Sequence, residues 1–379
     1  MRILLLTHEF LPFMGGIATY CSELALAATR LGHQVTVLAP DYQQDNRQAD
    51  QLLPYRVERF RGGQYHVLQM LRMMSRISKL RRRDYDVIHA AEGSSVVAMA
   101  ALQPVTRLPF IATVHGTDIF GFAASRLAHL LRAHRPLRRA DRVYANSLFT
   151  AALARQHDPA LTDSTVNVAH LGVNSWWFES ATDTELLRRY GIDPHRKILL
   201  SVSRLDERKG HLEILQGLAA LPQHYKDQLS YVIVGQRADA SHYQRLRSCA
   251  ATCGVPTIFT DGIPREDVRQ FYKQSWLYSM LGVPHPNTVE GFGLVYLEAA
   301  AQGLPSLATP IGGVPEVVVD QQTGVLLKGT SASAVAHALQ HLLDNSDIVA
   351  ALGRRALQHA REFTWQRCAE STYADVSVS

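Results

Sequence analysis

The sequence predicts an α/β protein built of two similar halves, each a parallel sheet covered by helices. Short apolar runs alternate with stretches of helical spacing along the chain, the pattern that a parallel sheet with crossover helices produces. The series restarts near residue 198 after a turn-like break. A chain of 379 residues, 46% of them hydrophobic, can core two domains of roughly 100–200 residues each. That apolar fraction excludes disorder as the main state. No run of about 18 uncharged apolar residues is present, so no membrane-spanning helix is expected. The opening segment Met1–His8 reads as a first buried strand rather than a signal peptide. Four cysteines make no disulfide framework, and a reducing, cytoplasmic location is expected. Cys249 and Cys253 lie one helical turn apart with no second pair, which favours ordinary thiols over a metal site.

In the first half, residues 3–6 form the first strand, followed by a loop with Pro12, Gly15 and Gly16 and a helix over 19–31. Further strands are predicted at 34–39, 87–89, 110–115 and 143–146. In the second half, strands are predicted at 198–203, 231–235, 257–259, 277–280, 306–308 and 324–326. Helices are predicted there at 212–220, 243–252, 266–273 and 294–302. The boundary is expected between residues 170 and 179, giving domains 1–175 and 176–360. The segment 350–374 reads as one long amphipathic helix, and residues 361–379 are expected to return to the first domain.

Four motifs fall where strands of an open α/β sheet end, the usual place for ligands. Gly15-Gly16 opens the first helix; its amides suit close approach to a phosphate, or it is only a tight turn. It is not the GxGxxG dinucleotide fingerprint. His115, before Gly116, Thr117 and Asp118, offers a hydrogen bond to a sugar hydroxyl or phosphate oxygen; the alternative is a capping stretch. Arg204 and Lys209, in Ser203-Arg204-Leu205-Asp206-Glu207-Arg208-Lys209-Gly210, pair a bidentate fork with a compact charge, which fits a diphosphate. A solvated charged loop would look the same. The most informative stretch runs from Glu290 to Glu298. Its glycine turn would expose the amides of Phe292, Gly293 and Leu294 at a helix start, which suits a diphosphate. Glu290 can accept from sugar hydroxyls and Glu298 from a ribose diol; a capping and a surface glutamate are the alternative. The loop 306–316, with Gly312-Gly313, is assigned no catalytic residue.

Taken in order, Gly15-Gly16, His115-Gly116, Ser203-Arg204 with Lys209-Gly210, and the Glu290–Glu298 element resemble glycosyltransferase family 4. These are retaining nucleotide-sugar transferases of the GT-B fold, two Rossmann-like doubly wound domains facing across a cleft. The resemblance implies a donor held by the C-terminal domain and an acceptor held mostly by the N-terminal one. It gives Arg204 and Lys209 to the departing diphosphate, Glu298 to the ribose, and Glu290 with the amides of Phe292, Gly293 and Leu294 to sugar and phosphate. Gly16 would approach the phosphate and His115 the donor sugar. No metal or other cofactor is expected, because the two cations would do a metal ion's work. No carboxylate stands out as a covalent nucleophile, which favours front-face attack within an ion pair. Residues 203–210 with 290–298 look like lipid mannosyltransferases using GDP-mannose, whereas His115 to Ile119 looks like relatives using UDP-N-acetylglucosamine. The expected partners are therefore a UDP- or GDP-sugar and a glycan or lipid-linked acceptor. A nucleotide-sugar or glycan-binding module with a degenerate site is the alternative, and the intact set of charged residues argues against it.

The charge is uneven. Residues 1–180 carry 20 Lys+Arg against 14 Asp+Glu, and residues 181–379 carry 19 against 20. The stretches 72–83 and 126–142 each hold six basic residues, and both are read as helical. Basic amphipathic helices suit an anionic membrane surface, here the inner face of the cytoplasmic membrane, although a solvated helix face shares the pattern. Neither stretch has the aromatic interleaving of a nucleic-acid site, so none is expected.

Overall fold

The computed structural model describes residues 1–63, 67–124, 126–131, 133–179 and 181–374. The chain divides into two units. The first gathers Met1–Gly172, Asn287–Phe292 and the segment from Phe363 onward; the second holds Val173–Pro286 and Gly293–Glu362. The first division falls at residue 172, and the six residues 287–292, placed by the sequence in the second domain, pack with the first unit.

The first unit is a sheet of seven strands: β1 (Arg2–Leu6), β2 (Gln34–Pro40), β3 (Arg56–Phe60), β4 (Val87–Ala90), β5 (Ile111–Val114), β6 (Arg142–Ala145) and β7 (Val166–Val168). Their order is β3-β2-β1-β4-β5-β6-β7 and every pairing is parallel. Central strands read as unbroken apolar runs because helices cover both faces; in β1, Ile3 to Leu6 are all buried. The strand order reverses between β1 and β4, so the crevice of a doubly wound sheet opens where those two strands end.

The second unit repeats the plan with six strands: β8 (Lys197–Val202), β9 (Leu229–Val234), β10 (Thr257–Thr260), β11 (Leu277–Met280), β12 (Ser306–Ala308) and β13 (Gly324–Leu326). Their order is β10-β9-β8-β11-β12-β13, again all parallel, with the reversal between β8 and β11. Each unit has its own apolar core, around Leu4, Val96, Phe110 and Val143 in the first and Leu199, Leu215, Ile233 and Leu339 in the second.

Three expectations need correction. The segment 350–374 is two helices, Ser346–Ala360 and Trp365–Tyr373. Thr364 stands between them in extended conformation, and its side chain accepts from the Arg367 amide at 3.1 Å, a capping bond that starts a new helix. The second of these helices packs on the helix Gly16–Arg30 of the first unit. Neither basic stretch is one helix: in 72–83 the helix Val67–Ile77 ends before Lys79 and Arg81–Arg83, and 126–142 is a short helix Arg126–Leu130, a 3-10 turn Pro136–Arg139, and the start of β6. Pro136 opens that turn, Arg138 pairs with Asp158 at 2.5 Å, and Arg139 donates to the Ala100 carbonyl. Arg132 lies outside the described residues. The strands β3 and β7 complete the first sheet where no strand was expected.

Candidate functional site

In the second unit the loop after β8 carries Arg204 and Lys209. Asp206 caps a single 3-10 turn, Glu207–Lys209, its carboxylate accepting from the Arg208 amide at 3.1 Å. Gly210 then turns the chain into the helix His211–Ala219 with φ 73°, in the left-handed region. A side chain there would also overlap the Leu281 carbonyl oxygen, so the loop lies directly against the residue that follows β11. The Val283 amide donates to the Arg208 carbonyl at 2.9 Å and ties the two loops together. Arg204 and Lys209 therefore stand at the reversal point of this sheet, Arg204 exposed and Lys209 partly so. Behind them, the Ser203 hydroxyl and the buried His211 ring lie 3.1 Å apart.

The helix Leu294–Ala301 starts at Gly293 with no side-chain cap and no acidic residue in its first turn. Uncapped first-turn amides offer an anion the positive end of a helix. Glu298 lies within this helix and accepts from the Tyr272 hydroxyl at 3.3 Å. Burial pushes its carboxyl up to about 7, against the opposing pull of Arg265 and of Tyr272. Arg204, Lys209, Gly293, Leu294 and Glu298 all belong to this unit.

In the first unit, β5 runs into His115. The His115 amide donates to both carboxylate oxygens of Asp118, at 3.0 and 3.1 Å. Burial raises the Asp118 pKa, and the charge of Glu92 adds to the effect. The His115 ring is partly exposed, with Nε2 2.9 Å from the Ala91 carbonyl oxygen. The segment 287–292 lies on this turn. Thr117 Oγ1 donates to the Val289 carbonyl at 3.1 Å and accepts from its amide at 3.2 Å, while Ser147 Oγ donates to the Gly291 carbonyl at 2.7 Å. A Cβ on Gly291 would overlap the His115 carbonyl oxygen, so only glycine permits this approach. Glu290 is thus carried to the first unit, eight residues from a Glu298 that belongs to the second. Phe292 is buried, its ring near His170 and Phe363.

Gly15 and Gly16 lie after β1, at the other reversal point. Gly15 is extended and caps the helix Gly16–Arg30 without a side-chain bond. Gly16 is exposed and a Cβ there would meet nothing, so packing does not require glycine.

The structure adds residues that the sequence did not single out. Buried His8 follows β1 and buried Glu92 follows β4; His8 Nδ1 lies 3.0 Å from Glu92 Oε1. Glu92 also accepts from the amides of Ser94 and Ser95, at 2.6 and 2.8 Å, capping the helix Gly93–Thr106. Burial opposes its charge, but His8 and the two amides win and hold the carboxyl at about 2. The run Glu92-Gly93-Ser94-Ser95 after an apolar strand is the signal that could have found it. Among the described residues no three His, Cys, Asp or Glu side chains group as metal ligands, and Cys249 and Cys253 are free thiols.

Residues 14–176 match the family described as Glycosyltransferase Family 4, and residues 182–359 match Glycosyl transferases group 1. A D-inositol 3-phosphate glycosyltransferase of Corynebacterium diphtheriae is 32% identical over 351 residues, covering 86% of this chain and 77% of that protein. A GDP-mannose-dependent alpha-(1-6)-phosphatidylinositol monomannoside mannosyltransferase of Mycolicibacterium smegmatis is 28% identical, covering 93% and 91%. The Anabaena HepE structure with UDP and glucose superposes with TM-score 0.78 at 20% identity, over 99% of this chain and 98% of that one. With both halves matched and a relative aligned over most of its length, the chain belongs to glycosyltransferase family 4, the retaining nucleotide-sugar glycosyltransferases of the GT-B fold.

Proposed function

We propose that this enzyme moves a hexose from a UDP- or GDP-sugar to a glycan or lipid-linked acceptor, in polysaccharide, lipopolysaccharide or glycolipid synthesis at the inner face of the cytoplasmic membrane. The observation that carries the donor assignment is the reversal point of the second sheet. There, two cations on the loop after β8 share a unit with an uncapped helix start and a half-buried glutamate. Cleaving the anomeric C–O bond leaves positive charge on the sugar and negative charge on the diphosphate. Preorganised donors aimed at that diphosphate lower the barrier because they need no reorganisation during the step. Arg204 and Lys209 take this role, with the amides of Phe292, Gly293 and Leu294. Glu298 accepts from the ribose diol. Gly15 and Gly16 leave room for a phosphate, and His115 and Glu290 contact the donor sugar. The mannosyltransferase and inositol-phosphate relatives favour a polar or lipid-linked acceptor and keep GDP-mannose beside UDP-sugars as the donor.

A surface of the first unit supports the lipid-linked choice. On the helix Val67–Ile77, Met70, Met73 and Ile77 are buried while Val67, Leu68 and Leu71 face solvent beside Arg72 and Arg76. Exposed apolar side chains with neighbouring guanidiniums suit an anionic bilayer surface.

The test is turnover with UDP- and GDP-sugars, with and without EDTA, for the wild type and for Lys209→Ala. The expected outcome is a metal-independent activity with one nucleotide series, and a fall in kcat of about 100-fold in the variant. Near-normal turnover of Lys209→Ala would remove Lys209 from the leaving group.

A further inference from the structure

Four polar side chains in the interior of the first unit join end to end. Tyr20, His89, Thr113 and Tyr373 are each buried. The Tyr20 hydroxyl donates to Thr113 Oγ1 at 3.0 Å. Thr113 Oγ1 lies 2.8 Å from His89 Nε2, and His89 Nδ1 lies 2.9 Å from the Tyr373 hydroxyl. Buried polar groups are costly unless bonded, and here each finds its partner within the set.

Thr113 accepts from Tyr20, so its own hydrogen is available for His89 Nε2. Burial, and secondarily the charge of His115, lowers the His89 pKa to about 3, so the ring is neutral and carries one N–H. Where Thr113 donates to Nε2, that hydrogen sits on Nδ1 and goes to Tyr373. The chain Tyr20–Thr113–His89–Tyr373 joins the helix Gly16–Arg30, two adjacent strands and the helix Trp365–Tyr373.

At Tyr20 the chain reaches the candidate site. The Tyr20 ring stands edge-on to the His115 ring, 4.8 Å between centroids at 73°, and Trp365 lies at 6.3 Å from Tyr20. His115 Nε2 is 2.9 Å from a carbonyl oxygen, which can only accept, so Nε2 carries the hydrogen. In the neutral ring Nδ1 then holds a lone pair.

We propose that Tyr20, anchored to the terminal helix through Thr113, His89 and Tyr373, is a positioning residue that holds the His115 ring on the Ala91 carbonyl, so that His115 Nδ1 accepts a hydrogen bond from a hydroxyl of the bound sugar. This rests on the reading of His115 as a donor-sugar contact, and gives it the accepting role where the sequence left it free to donate.

The experiment is a two-bond proton–nitrogen correlation on enzyme carrying 15N-histidine, with steady-state kinetics for the same proteins. His89→Gln and His115→Gln assign the two rings. The wild type should show His115 protonated at Nε2 and a single tautomer of His89. Thr113→Val, which removes only the linking hydroxyl, should mix the His115 tautomers and lower kcat by about 10-fold while the donor KM moves less than about 2-fold. Thr113→Ser should restore both. Tyr20→Phe keeps the ring and breaks the chain at its other end; it should reproduce the loss and serves if Thr113→Val does not fold. A His115 protonated at Nδ1 in the wild type, or unchanged tautomers and kcat in the broken-chain variants, would overturn the proposal. Full turnover in His115→Gln would instead overturn the donor-contact reading, whatever the tautomers.

Discussion

Glu298, the proposed ribose contact, shows how burying a carboxyl costs stability. Its carboxyl stands at about 7 in the fold against an ordinary 4.5, with burial the main cause. Between those values the folded protein holds a proton that the unfolded chain has released, so stability falls as pH rises from about 4.5 through about 7. The contribution is fully present below the lower value and gone above the upper one. Glu298→Gln lacks that titration. Its unfolding free energy, from urea titration, should pull ahead of the wild type across this window, by on the order of 3 kcal/mol at pH 8. Parallel pH profiles would show that Glu298 is ordinary. The charged candidates Arg204, Lys209, Glu290 and Glu298 were legible because they fall in two compact motifs, a charged loop closed by Gly210 after an apolar run and the stretch from Glu290 to Glu298 around Gly291 and Gly293. Tyr20, His89 and Thr113 were not, because their polar tips are set among apolar neighbours in a strand or a helix stripe. Only folding brings those tips together.

Among the elements, the loops after β8 and β11 form one structural piece, closed by the contact of Gly210 with Leu281. Gly210→Ala would strain a left-handed residue and force two backbones apart. It should lower stability by about 2 kcal/mol or more, read as a drop in Tm. Gly16→Ala makes the contrast: its new methyl meets nothing, and Tm should stay within about 0.5 kcal/mol equivalent of the wild type. Equal losses in the two variants would contradict this account. The elements that sequence reading found are those with unbroken apolar runs, such as β1 and β8. It missed β3, Arg-Val-Glu-Arg-Phe, a half-buried edge strand with charges, and β7, only three residues long at the other edge. The break at Thr364 was hidden because apolar residues continue on both sides with nearly helical spacing.

For the whole molecule, two similar halves were legible because the alternation repeats, but the exchange of residues 287–292 between them was not. A glycine that lets two backbones meet looks the same in sequence as one that opens a helix. Charge is also a whole-molecule property, and the basic excess of residues 1–180 bears on the proposed membrane contact. Flotation with vesicles should recover more protein on anionic than on neutral lipid. Leu68→Ser with Leu71→Ser should reduce that recovery several-fold without changing Tm. Equal recovery on both lipids would reject the bilayer as partner.

The helix Trp365–Tyr373 has a further consequence, for how the protein is made. The first unit is discontinuous in sequence: it needs Asn287–Phe292 and the residues from Phe363 onward. While the ribosome is still translating the second unit, the helix Gly16–Arg30 therefore lacks the helix that packs on it, with Trp365 near Tyr20. Although its strands are made first, this unit is completed after its neighbour, and its nascent form is the stage at which a chaperone would find apolar surface to hold.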